Sequence, residues 1–159
     1  MKSIYIHHHL GLGDCIDCNA IARIYAKEYD KVNIFCKECY SHMVTYMYRD
    51  NPKINVITIP DGIDENYFVK HYLDGTACTM EQLKGLQPME TFEGQVEFLK
   101  IGHDNYPWGQ EEKLGKGCAE IFYDLVNIPY IKRFEEFYYE RDPKEEKRVY
   151  DKLNPNDEE

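Results

Sequence analysis

Short runs rich in β-branched and aromatic residues alternate along the first sixty positions with segments whose apolar residues recur at helical spacing. Ser3 to His8 reads as a strand, ended by the turn Gly11-Leu12-Gly13-Asp14. Ile16, Ala20, Ile21, Ile24 and Tyr25 then fall on one face of a 3.6-residue period, with Asp14 placed to cap that helix. Val32 to Cys36 predicts a second strand, Cys39 to Tyr48 a second amphipathic helix, and Ile54 to Ile59 a third strand closed by Pro60-Asp61-Gly62. A βαβαβ succession this compact calls for parallel strands and right-handed helical crossovers, hence an α/β fold with a Rossmann-like, doubly wound, mainly parallel sheet.

Periodicity weakens over 61–94, which reads as irregular with one short helix. Gln95 to Ile101 predicts a fourth strand, and 103–109 a loop, by its Asn, Pro and Gly. Leu114, Cys118, Ile121, Phe122, Leu125 and Val126 share one face and predict a single long helix; Arg133 to Tyr139 predicts a fifth strand. Asp142-Pro143-Lys144-Glu145 opens a last helix running to about Leu153, where Asn154-Pro155 stops it. With 159 residues, one core is expected, in a domain over 1–141 followed by a terminal helix and tail over 142–159.

Charge narrows the partners. The chain carries a net charge of -10, which argues against nucleic acid, but the first sixty residues hold seven basic and six acidic side chains and tolerate an anionic ligand. There is no apolar run of about 18 residues to span a bilayer, and Ile4-Tyr5-Ile6 is too short for a signal sequence, so a cytoplasmic protein with reduced thiols is expected.

The turn at 11–14 is the leading candidate site. Its glycines let a ligand approach the backbone, a helix start offers N–H groups to an anion, and Asp14 is a candidate base toward a hydroxyl. Gly11-x-Gly13 is followed by Ile16 where the dinucleotide fingerprint needs glycine, and no Gly-Lys-Ser/Thr follows for a phosphate-binding loop. His9 beside the turn is a candidate acceptor contact, as are Tyr106 and Trp108 for a sugar face. Cys15-x2-Cys18 and Cys36-x2-Cys39 have the spacing of a four-cysteine zinc site, a rival reading as a zinc-stabilised interaction domain.

The stretch Ile6-His7-His8-His9-Leu10-Gly11-Leu12-Gly13-Asp14, with the helix to Tyr29 and the strand from Val32, resembles the N-terminal segment of glycosyltransferases of the ADP-heptose:lipopolysaccharide heptosyltransferase type. The likeness covers about the first sixty residues; Ala20 and Asp30 stand where that family usually has prolines. It implies one half of a GT-B architecture, with Asp14 as the base that deprotonates an acceptor hydroxyl and His9, Gly11, Leu12 and Gly13 around the acceptor. It further implies a nucleotide sugar as donor substrate, no required metal or other cofactor, a carbohydrate or glycolipid acceptor, and a second Rossmann-like donor-binding domain. A chain of this length has no room for that second domain, so the isolated chain is expected to be inactive. The alternative is a non-catalytic Rossmann-like module that binds a sugar or phosphorylated ligand at the same turn.

Overall fold

The computed structural model describes residues 2–8, 11–74, 96–102 and 106–154. Four strands, β1 (Ser3–His8), β2 (Lys31–Lys37), β3 (Ile54–Ile59) and β4 (Val96–Ile101), form one all-parallel sheet in the order β3-β2-β1-β4. Ser3 pairs with Lys31 on one side and with Val96 on the other, so β1 is the central strand and every residue of it is buried. Strands covered on both faces read as near-continuous apolar runs, which is why this part of the fold is visible in the pattern.

The helices divide between the two faces. α1 (Leu12–Asp17), α2 (Asn19–Glu28), α3 (Glu38–Met47) and α6 (Cys118–Leu125) share one core with Ile4, Ile6, Val32 and Ile34. α4 (Glu65–Asp74) lies on the opposite face, where Phe68 and Val69 pack with Tyr5, Phe35, Ile57 and Ile59. The side chains of His7 and His8 alternate across β1; His7 falls on the α4 face, its ring 5.9 Å from that of Phe35.

Three expected elements take a different form. The first helix is broken at Cys18 (φ -84°, ψ 1°), so that α1 and α2 are separate. The long helix over Leu114 to Val126 is instead α5 (Glu111–Leu114) and α6, because Gly115 adopts a left-handed φ of 63° and Gly117 an extended conformation before α6. Both glycines interrupt a helical apolar pattern that is otherwise continuous.

The expected fifth strand is absent from the sheet: Lys132–Glu135 forms the short helix α7, and 137–142 runs extended across the outside of α2 and α3. Tyr138 has no need of a strand partner, since its N–H donates to Asn19 Oδ1 and its carbonyl accepts from Asn19 Nδ2, each at 3.2 Å. α8 (Pro143–Leu153) begins where expected, with Asp142 Oδ1 accepting from the Glu145 N–H at 3.0 Å.

Arg23 joins these layers. Its guanidinium makes two 2.8 Å bonds to the Asp50 carboxylate, donates to Asn19 Oδ1 and the Met47 carbonyl, and lies over the rings of Tyr48 and Tyr138. A charge buried to this degree persists because its donors are satisfied. The pairing holds the Asp50 carboxyl below the usual carboxylate range.

Candidate functional site

A parallel sheet ordered 3-2-1-4 changes direction between β1 and β4, since the chain leaves β1 toward β2 and later returns to its other side. The crevice beyond the carboxyl ends of those two strands is where open α/β sheets bind ligands. The Gly11–Asp14 turn follows β1, and the segment carrying Tyr106 and Trp108 follows β4, so both candidate groups belong to this edge. His9 lies outside the described residues.

Gly11, rather than Asp14, is the cap of α1. Gly11 is extended (φ -69°, ψ 152°), Leu12 and Gly13 are already helical, and Asp14 occupies the third helical position. From there Asp14 Oδ2 accepts the Gly11 N–H at 3.2 Å, the acid's half of a capping box. A β-carbon at Gly11 would come within 2.8 Å of that same oxygen, whereas one at Gly13 would meet nothing within 4 Å. The half-buried Asp14 carboxylate thus takes up the charge position that an incoming phosphate would seek at a helix start, and an anion there would meet it.

The other end of α1 is held from the C-terminal part of the chain. Asp17, one turn after Asp14, pairs with Arg133 of α7, whose guanidinium also donates to Tyr130 Oη at 2.8 Å. The Tyr123 hydroxyl of α6 donates to the Asp17 carbonyl at 3.0 Å. Neither Asp17 nor Arg133 stands out from sequence alone: the i, i+3 spacing of Asp14 and Asp17 was the available signal, and Arg133 was masked by its strand-like surroundings.

Tyr106 and Trp108 have different roles. The Tyr106 ring is buried, 6.0 Å and edge-on from Phe122, and carries Trp108 at 4.6 Å on its exposed side. Burial and a hydrogen bond to the Cys118 sulfur push the Tyr106 phenol up. Trp108 is 63% exposed and is the ring that a ligand can reach. Cys118, exposed at the start of α6, has its thiol raised by partial desolvation, against the lowering effect of the Tyr106 hydrogen bond, with a smaller push from the charges of Asp14 and Asp17.

The four candidate zinc cysteines do not all meet, although Cys15 and Cys36, one from each pair, are hydrogen-bonded. Cys15, Cys18 and Cys36 are buried and Cys39 is exposed in the first turn of α3; among the described residues no three His, Cys, Asp or Glu side chains are grouped to hold a metal ion. The hydrogen bond to Cys36, followed by burial, holds the Cys15 thiol far up, and burial does the same at Cys18. Cys15, Cys18 and Cys36 pack as small buried side chains in the core that α1, α2 and α3 share with the sheet, and Cys39 stands outside it.

No protein-family model, curated protein or solved structure matches the chain. Among the described residues no helix is long and apolar enough to cross a membrane.

Proposed function

We propose that this chain is the acceptor-side domain of a GT-B glycosyltransferase, with Asp14 as the general base. The observation that carries the reading is a half-buried carboxylate on the first strand-to-helix turn, at the sheet's switch point, steadied by a backbone N–H. A base in this position must lie about 2.6–3.2 Å from the hydroxyl it deprotonates. Asp14 takes the hydroxyl proton, the acceptor oxygen bonds to the anomeric carbon of a nucleotide sugar, and the bond from that carbon to the diphosphate breaks with its electron pair leaving on the diphosphate.

The Asp14 carboxylate, already set at the helix start, favours a neutral hydroxyl over a phosphate at the turn, which supports the transferase over a module for phosphorylated ligands. Stabilising the departing diphosphate calls for donors aimed at its oxygens. In this reading a second Rossmann-like domain supplies them, and a carbohydrate or glycolipid supplies the hydroxyl. No metal or other cofactor enters the scheme, and the cytoplasm is the compartment that would supply nucleotide sugars.

The test is turnover of the chain combined with its donor-binding domain, using wild type and Asp14→Asn. Asparagine can still accept the Gly11 N–H through its amide oxygen, so the fold is expected to persist while turnover falls by about a hundredfold or more, the scale of a lost general base. Unchanged turnover would leave Asp14 a helix cap. Titrating nucleotide sugars into the isolated chain should give no binding heat, and tight binding there would place the donor site in this domain.

A further inference from the structure

At the opposite end of the α2–α3 layer, far along the chain from the turn, the extended segment and α8 enclose a groove of about 470 Å³ with no part in the reading above. Its walls are three tyrosines, Tyr46 from the end of α3, Tyr139 from the extended segment and Tyr150 from α8, and all its charged lining groups are carboxylates: Asp142, Glu145 and Glu146. Val149 and Leu153 add an aliphatic floor. The volume falls in the range of small-molecule sites.

The aromatic walls carry the argument, since carboxylates alone would be an ordinary solvated rim. Tyr46 and Tyr139 stand with ring centroids 6.1 Å apart at 54°, an open corner of two π faces. That corner already holds one cation: the Arg49 guanidinium lies 3.7 Å from the Tyr46 centroid and 5.4 Å from that of Tyr139. Tyr46, Tyr139 and Tyr150 all line the groove, whereas Arg49 does not.

Asp142 fixes the corner by accepting the Tyr46 hydroxyl at 3.0 Å while capping α8. Glu145 and Glu146 pair with Arg148 and Arg141 across exposed surface, where such pairs hold their partners weakly.

We propose that this groove binds a small organic cation of the quaternary ammonium class. Tyrosine faces attract such a cation through their quadrupoles, the aliphatic floor accommodates its methyl groups, and the carboxylates match its charge without requiring it to donate a hydrogen bond. Tight hydration would instead keep a simple metal cation in water.

The probes are choline and its uncharged isostere 3,3-dimethylbutan-1-ol, each titrated into the chain and followed by calorimetry and by amide chemical shifts. Choline should bind saturably, with shifts confined to residues around Tyr46, Tyr139 and Tyr150, and the isostere should bind about tenfold more weakly or less. Tyr150→Leu keeps apolar bulk but removes a π face, and should cost choline affinity while leaving the isostere unchanged. Tyr150 is exposed, so the substitution leaves the core untouched, and unaltered amide shifts of the buried β1 residues would show that the variant is folded. Equal affinity for the two probes, no saturation, indifference to Tyr150→Leu, or binding of a lysine-rich peptide in place of choline would each overturn the proposal.

Discussion

Gly11 controls the position of the candidate base more directly than any other residue of the turn. Its φ of -69° suits alanine, so Gly11→Ala meets no backbone penalty, but the new methyl group would approach Asp14 Oδ2 to 2.8 Å and turn the carboxylate aside. Gly11→Ala should therefore lower turnover of the proposed transferase at only a small loss of stability from the loosened cap, and Gly13→Ala, with open space around it, should leave turnover unchanged. Activity and denaturation measured on the two variants check this. Arg23 gives the opposite case, in which stability changes without chemistry. Asp50→Ala leaves a buried guanidinium without its counter-ion and should destabilise by about 3 kcal/mol, the lower end for a broken buried pair because Asp50 still touches water. The sign with pH follows from the depressed Asp50 carboxyl: its contribution is full above the ordinary aspartate value near 3.9 and is lost as pH falls through the lower folded value. Asp50→Asn should accordingly flatten the acid side of a stability-against-pH curve and leave its alkaline side unaltered. Of these residues Asp14 and Gly11 were legible from the turn motif. Asp17, Arg133 and Tyr123 were not, because the partners are brought together only by the packing of α6 and α7 against α1.

At the level of elements, the misreadings share one cause. Apolar periodicity reports which face is buried, and it continued unbroken through Leu114 to Val126 although Gly115 and Gly117 turn the backbone between two helices. Composition likewise marked Arg133 to Tyr139 as strand-like, yet an extended segment satisfied by the Asn19 side chain is not part of a ladder. The parallel strands and α8 were legible because local signals and burial agree there: a continuous apolar run for the sheet, an acid cap and a first-turn proline for the helix. The break at Gly115 can be tested on its own. A β-carbon there meets nothing within 4 Å, so Gly115→Ala should cost only the left-handed backbone, about 1–2 kcal/mol, in a chemical denaturation experiment. A gain in stability would mean that α5 and α6 merge into the one helix their apolar pattern suggests.

For the molecule as a whole, the distribution of burial predicts unequal stability. α8 contains no buried residue, whereas β1 is buried throughout and hydrogen-bonded on both edges. Native-state hydrogen exchange should show the amides of Tyr5 and Ile6 opening only with global unfolding and those of α8 exchanging through local opening; equal protection would refute that division. The central place of β1 also sets an order of assembly during synthesis. One edge of this strand is filled once β2 has emerged, but the other waits for Val96 to Ile101, about sixty residues later. Through that interval a nascent chain presents an unpaired strand edge lined with buried-type side chains, the kind of surface that recruits foreign strands. The ribosome-bound intermediate, rather than the finished fold, is then the stage at which this protein depends most on protection from its neighbours, and slowing translation between β3 and β4 would lengthen that exposure.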